Sequence, residues 1–360
     1  MNAAAIFRAN AVPAMVNRTY ATRAEAVRCP VGDLRLVQDG ATGLVNNAAF
    51  DARLISYDAS YQNEQGLSPA FRQHLTDVMA IVQRHMAARR VVEIGCGKGF
   101  FLDLLRSAGF DAAGIDPAYD GNSVHVQRRE FAASMRIDAD ALILRHVLEH
   151  VPKPRQFLAG AARAIGGKGR IYIEVPCFDW ILRERAWFDC VYEHVNYFRR
   201  SDFESMFGEI HEIGHVFGGQ YLYVIAELGS LRADGTDAAQ PALLEVPRGF
   251  ADGQSALARS VPPKGHFAIW GAGAKGVMYA HYLARAGIAV ELVVDINPAK
   301  QGRYLPASGF PVVSPEHALA KLRAGALIVV ANPNYLAEIA ERGGNRFKYV
   351  SIDHPVERPD

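Results

Sequence analysis

Cysteine is scarce in this chain and scattered: four in 360 residues, Cys29, Cys96, Cys177 and Cys190, with no C-x-x-C pair among them. That spacing indicates neither a disulfide framework nor a structural zinc site, and no metal is expected. Charge of one sign is lacking as well, since 39 Lys and Arg stand against 38 Asp and Glu. So balanced a chain has no global field to gather nucleic-acid phosphates or an anionic membrane surface. No apolar run approaches the ~18 residues of a spanning helix. The stretch from Met1 to Tyr20 has no signal-peptide core, and no sequence period repeats. These absences leave a cytoplasmic globular protein that acts on a small molecule, with two or three domains at roughly 100–200 residues each.

What is present is an alternation of apolar runs and helical stretches. Ser68-Pro69 supplies an N-cap and a first-turn proline for an amphipathic helix running to about Met86. Strands are expected at Arg90–Ile94, Ala112–Ile115, Ala141–Arg145 and Arg170–Val175, with helices at Phe100–Ala108 and Pro154–Ala164 between them. Strands separated by helices imply right-handed βαβ units and a parallel sheet. A second such series has strands at Phe267–Trp270, Val290–Val294 and Ala326–Val330 and helices at Gly276–Ala286 and His317–Leu322. Four segments follow: 1–67 at the N-terminus, with short β-like pieces such as Leu34–Val37; a domain at 68–228; a Gly-, Pro- and Ala-rich connection at 229–265, helical near Gly253–Arg259; and a domain at 266–360.

The first glycine-rich turn, Glu93-Ile94-Gly95-Cys96-Gly97-Lys98-Gly99, lies between a strand and a helix, where the backbone can approach a ligand closely. Asp116 closes the next strand, where a carboxylate can accept both hydroxyls of a ribose. The same spacing serves NAD enzymes, but here Gly99 follows Gly97 by two residues rather than three. After the third strand comes His146-Val147-Leu148-Glu149-His150-Val151. Residues 89–180 thus resemble the class I S-adenosylmethionine-dependent methyltransferases. The resemblance implies that Glu93, Gly95, Gly97, Gly99, Asp116 and His146 hold S-adenosylmethionine. An acid near the turn suits the α-ammonium of that cofactor, which has no phosphates. His146 and Glu149 have a structural alternative as turn or capping residues.

Past the last strand of the first series, Tyr192-Glu193-His194-Val195-Asn196-Tyr197-Phe198 is dense in acid, base and aromatic groups. A carbon nucleophile must lose a proton before it attacks a methyl sulfonium, and an imidazole suits that task beside a carbonyl. Glu193 or a tyrosine hydroxyl would orient the imidazole. Taken with Gly271-Ala272-Gly273-Ala274-Lys275-Gly276 and with Asp295 to Pro306, this run is similar to the sugar C-methyltransferase family, which includes TDP-hexose 3-C-methyltransferases. The resemblance runs from about Tyr57 to the C-terminus. It implies that His194 takes the C3 proton of a nucleotide-linked 4-keto sugar, assisted by Tyr192 and Glu193. It also implies that Tyr61 and Gln65, in a loop that closes over the cofactor, touch S-adenosylmethionine. At the N-terminus, where that family carries a small zinc domain, only Cys29 stands, so residues 1–67 read as a reduced zinc module followed by the cofactor-covering loop.

The second glycine-rich turn, Gly271 to Gly276 followed by Asp295, taken alone predicts NAD bound with Asp295 on the ribose. The family resemblance instead implies a second Rossmann-like domain that binds the acceptor. In that reading Gly271, Gly273, Lys275, Asn332 and Asn334 are acceptor contacts together with Asn196 and Tyr197. The sequence therefore favours a two-domain α/β methyltransferase that C-methylates a nucleotide-linked keto-deoxysugar. Its alternatives are an O- or N-methyltransferase and an NAD-dependent oxidoreductase or epimerase.

Overall fold

A computed structural model describes residues 5–58, 60–86, 90–233, 243–250 and 267–353. The expected helical piece at Gly253–Arg259 lies outside the described residues. The described strands form three sheets. In chain order they are β1 (Phe7–Pro13), β2 (Val31–Gln38), β3 (Val45–Asn47), β4 (Arg90–Ile94), β5 (Asp111–Ile115), β6 (Val126–Gln127), β7 (Ala141–Arg145), β8 (Arg170–Pro176), β9 (Asn196–Tyr197), β10 (Ile210–Val216), β11 (Tyr221–Glu227), β12 (Phe267–Trp270), β13 (Leu292–Val294), β14 (Val312–Val313), β15 (Leu327–Val330) and β16 (Lys348–Ser351).

The central sheet has the order β10-β11-β8-β7-β4-β5-β6. Its strands from β8 to β6 are parallel, and the β10–β11 hairpin adds antiparallel to β8. Helix α1 (Pro69–His85) covers this sheet with Phe71, Leu75, Val78 and Val82, spaced to form one apolar stripe. The Ser68 hydroxyl accepts from the Phe71 N–H, so the expected N-cap is formed. The C-terminal sheet, β14-β13-β12-β15-β16, is parallel throughout.

In both parallel sheets the chain leaves a central strand in one direction and later returns to its other side. β4 is flanked by β5 and β7, and β12 by β13 and β15. These are the topological switch points, where open α/β sheets leave a crevice beyond the strand ends. Each glycine-rich turn follows one of these strands directly.

The N-terminal segment is more ordered than its sequence pattern announced. β1, β2 and β3 form an antiparallel sheet completed by β9, which comes from the middle of the chain. Cys29 is a buried free thiol beside this sheet, its pKa raised by burial. Among the described residues, no helix is long and apolar enough to cross a membrane.

The helix after the second turn, here called the fingerprint helix (Ala274–Arg285), packs closely on that turn. A β-carbon on Gly276 would lie 1.9 Å from the Gly271 carbonyl oxygen and 3.2 Å from the Ala331 side chain. Gly276→Ala should therefore push the helix off its sheet and lower stability by about 1–3 kcal/mol. Thermal unfolding of the two proteins tests this; an unchanged midpoint would contradict the close approach.

Candidate active site

One cavity of about 290 Å³ lies where the edges of the two parallel sheets face each other. Its wall includes Glu93, Gly95, Cys96, Gly97 and Lys98 from the first turn, and Gly271, Gly273, Lys275 and Gly276 from the second. His146, Glu149, His150 and His194 line it between the turns, and Tyr61 and Gln65 border it from the N-terminal side. Two motifs about 180 residues apart thus open into one space.

The first turn is a run of left-handed backbone, with φ of +77° at Gly95, +55° at Gly97 and +84° at Gly99. At Gly95 a β-carbon would also come 2.3 Å from Val147 Cγ2, so the turn tolerates glycine alone there. Glu93, at the end of β4, is 2 % exposed, and its Oε2 has no hydrogen-bond partner. Burial raises its pKa to about 7; Arg145 opposes the shift, and Asp116 and Glu174 add to it. An unpartnered buried carboxylate in a cavity wall is the seat an ammonium group needs, so the turn fits S-adenosylmethionine.

A pH dependence follows from that carboxyl. Below pH 7 Glu93 is protonated, and pairing with an ammonium requires it to lose that proton. Affinity for S-adenosylmethionine should therefore fall by up to about tenfold per pH unit below 7 and level off above it. Calorimetric titration across pH 5.5–8.5 would show this as roughly that slope; a flat profile, or the same slope in Glu93→Gln, removes Glu93 from the ammonium.

Asp116 is placed differently from its sequence reading. Its Oδ2 accepts from the Gly97 N–H at 2.8 Å and its Oδ1 from the Ala118 N–H at 2.7 Å, and it is not part of the cavity wall. In this structure it braces the turn.

Glu174, at the end of β8, is a hub that the sequence did not single out. Tyr172 donates to it at 2.6 Å, and His74 Nε2, His146 Nε2 and Arg145 stand at 3.1, 3.0 and 3.4 Å. Although burial opposes ionisation, Arg145, His146 and His74 hold Glu174 well below the usual carboxylate range. Burial lowers the His146 pKa, but the neighbouring carboxylates of Glu149 and Glu174 outweigh it and lift the ring to about 9. His146 also has a positive φ of 54°, an uncommon conformation for a side chain of its size.

The Tyr-Glu-His run divides on folding, because β9 and the residues before it pair with the N-terminal sheet. His194 faces the cavity, 4.9 Å between ring centroids from His150. Burial, with His150, His146 and Lys275 adding, keeps its pKa well below the ordinary value, so the imidazole is neutral. Glu193 points away from the cavity, accepting from the Val16 N–H at 2.9 Å, and its carbonyl lies 2.9 Å from His150 Nδ1. It does not orient the His194 ring directly.

Tyr192, expected to assist catalysis, is fully buried against Gly32 in the N-terminal sheet, and its hydroxyl accepts from the Asp51 N–H at 2.7 Å. Tyr197 donates to the Val191 carbonyl at 2.9 Å, and Asn196 donates to Val151 at 2.6 Å. None of these three lines the cavity, because each is tied by these bonds to the N-terminal sheet or to its own loop.

Around the second turn, several expected contacts are engaged within the protein. Lys275 donates to Asp189 at 2.6 Å in a pair buried on both sides. The charge expected for an acceptor's phosphates is thus balanced across the domain boundary. Asn332 lines the cavity but exchanges two hydrogen bonds with Gln220, at 2.9 and 3.0 Å. Asn334 donates to the Phe217 carbonyl at 2.8 Å and lies outside the cavity wall. Asp295 turns back on the loop, accepting from the N–H groups of Ala272 and Asn297 at 2.7 and 2.8 Å. Lys300, also missed, donates to the Ala272 carbonyl at 2.9 Å from the cavity wall.

Comparison with known proteins agrees with this architecture. The family model described as a methyltransferase domain matches residues 64–210, and the one described as a C-methyltransferase C-terminal domain matches residues 255–347. The first half therefore carries a methyltransferase domain of the S-adenosylmethionine-dependent, Rossmann-like kind. More particularly, residues 255–347 match the C-terminal domain of the C-methyltransferases.

It is 25 % identical over 279 residues to the C-methyltransferase NovU of Streptomyces niveus, covering 63 % of each protein. It is also 30 % identical over 111 residues to a ubiquinone biosynthesis O-methyltransferase of Methylococcus capsulatus, covering 26 % of this chain and 47 % of that protein. The chain thus spans about half to two thirds of the length of these relatives. Among solved structures, a SAM-dependent methyltransferase from Archaeoglobus fulgidus is 19 % identical with a TM-score of 0.33, covering 42 % of this chain and 94 % of that one.

Proposed function

We propose that this protein transfers the methyl group of S-adenosylmethionine to a carbon atom next to a carbonyl, on a nucleotide-linked keto-deoxysugar. The observation that carries the reading is the single cavity shared by the first glycine turn, His194 and the second glycine turn. S-adenosylmethionine supplies an electrophilic methyl on a sulfonium. Glu93 holds the ammonium end and the glycines admit the chain beside it. His194, with a neutral ring facing the same space, accepts the acidic proton of the acceptor carbon. The electron pair left behind forms the new C–C bond, and positioning by the two domains contributes much of the rate. Lys300 stands on the acceptor side, where an ammonium offers hydrogen bonds to an enolate oxygen.

The kinship with NovU, itself a C-methyltransferase, supports carbon over oxygen or nitrogen as the methylated atom. Against an NAD-dependent reading, Asp295 already accepts from two backbone N–H groups of its own domain, and Lys275 is paired with Asp189. The test is a panel of TDP-, UDP- and GDP-linked 4-keto sugars in deuterated water. Exchange of the proton next to the carbonyl, followed by a new C-methyl signal when S-adenosylmethionine is added, is the expected result. Methylation of a hydroxyl without exchange would overturn the carbon reading.

A further inference from the structure

We infer that Glu149, His150 and His194 form a binding site for one divalent transition-metal ion on the cavity wall. Each offers one ligand atom, and the three atoms lie within 4.8 Å of one another. All three residues line the cavity, which leaves the remaining coordination positions open to a small molecule. Two imidazoles and one carboxylate are a donor set for Zn²⁺, Fe²⁺ or Co²⁺ and a poor one for Mg²⁺ or Ca²⁺, which prefer all-oxygen shells.

Two independent features point to a ligand there. Glu149 is 1 % exposed, yet neither of its carboxylate oxygens has a hydrogen-bond partner. His146 Nδ1, at 3.4 Å from Oε1, is the charged group beside it. Oε2 is left without a hydrogen bond from any side, and a buried carboxylate oxygen in that state is costly unless a ligand completes it.

His150 is the second feature. Its Nδ1 lies 2.9 Å from the Glu193 carbonyl oxygen and 2.8 Å from the Tyr57 hydroxyl. The carbonyl can only accept, so Nδ1 carries the proton and Nε2 keeps its lone pair. A ring nitrogen fixed this way by a backbone carbonyl is the outer support metal-ligating histidines use. The signal was invisible in sequence because His194 is 44 residues from His150 and the two meet only when β9 joins the N-terminal sheet.

The proposal goes beyond the methyl-transfer reading and does not rest on it. An ion on His194 takes the lone pair that would accept a proton, so the ion-bound protein is a blocked state of the methyl-transfer site and the ion-free protein the active one. The test is therefore read on binding, without turnover. The full chain is stripped with a chelator and titrated with Zn²⁺ and Co²⁺.

One equivalent should bind, and Co²⁺ should develop visible absorption bands. X-ray absorption of the one-equivalent Zn²⁺ protein should show two imidazoles and oxygen, without sulfur. Glu149→Gln, nearly isosteric, should weaken binding at least tenfold, as should His150→Gln. His211→Ala should leave binding unchanged, since Glu209, His211 and Glu227 form a second, more exposed group of possible ligands. No binding by the native chain, sulfur in the shell, or loss of binding in His211→Ala alone would each overturn the site. The native-chain spectra decide the matter even if a variant fails to fold.

Discussion

His194→Ala is expected to lower methyl transfer by about 10²- to 10⁴-fold, the range general-base catalysis contributes, while the affinity for S-adenosylmethionine stays almost unchanged. The split follows from position. The imidazole faces the middle of the cavity, whereas the first glycine turn and Glu93 belong to β4 and its loop. Removing the ring leaves that turn and the unpartnered Glu93 carboxylate in place. A parallel loss of cofactor binding would mean that His194 shapes the cofactor site, and retained turnover would remove it from the proton transfer. Deuterium exchange of the acceptor, measured without S-adenosylmethionine, separates the proton step from the methyl step and should vanish with the ring.

Asp189→Ala should be the most destabilising single change at the domain boundary, by about 3–5 kcal/mol, because it strands the buried Lys275 ammonium. The two side chains are 8 % and 10 % exposed and meet at 2.6 Å. Because the pair joins the loop before β9 to the fingerprint helix, its loss should also let the two halves of the cavity separate and lower methyl transfer. The double variant Asp189→Leu with Lys275→Met removes both charges, so it should recover much of the stability. Thermal and denaturant unfolding of the four proteins measures this; a double variant no more stable than Asp189→Ala would show that the charge itself is not the cause.

Much of the fold is legible in the chain because its signals are local. Ser68-Pro69 marks the start of α1, β4 and β7 run over the expected residues, and both glycine turns sit where strand gives way to helix. The β10–β11 hairpin and the N-terminal sheet were not legible. Their strands are held by pairing with distant partners, such as Val45 with Tyr197, and by burial on faces that no nearby residue reveals.

The candidate site divides in the same way. Glu93, Gly95, Gly97 and His194 all line the cavity, whereas Gly99 does not. Tyr192, Asn196 and Tyr197 belong to the same stretch as His194 but are held elsewhere, Tyr192 by the Asp51 N–H and Asn196 and Tyr197 by the pairing of β9 with β3 and by hydrogen bonds to Val151 and Val191. Proximity in sequence therefore overstated that cluster. Glu174, Asp189 and Lys300 were missed because each acquires its meaning from a partner dozens of residues away.

By itself the sequence determined the two Rossmann-like halves and the place of both glycine-rich turns, since glycine spacing and strand–helix alternation are written in consecutive residues. Only the tertiary structure decided that both turns open into one cavity and that Lys275 and Asp295 are committed to protein partners. It alone decided that Glu149, His150 and His194 converge. Pairing a buried charge requires its partner to be brought from far along the chain, and that distance is closed only by packing the core.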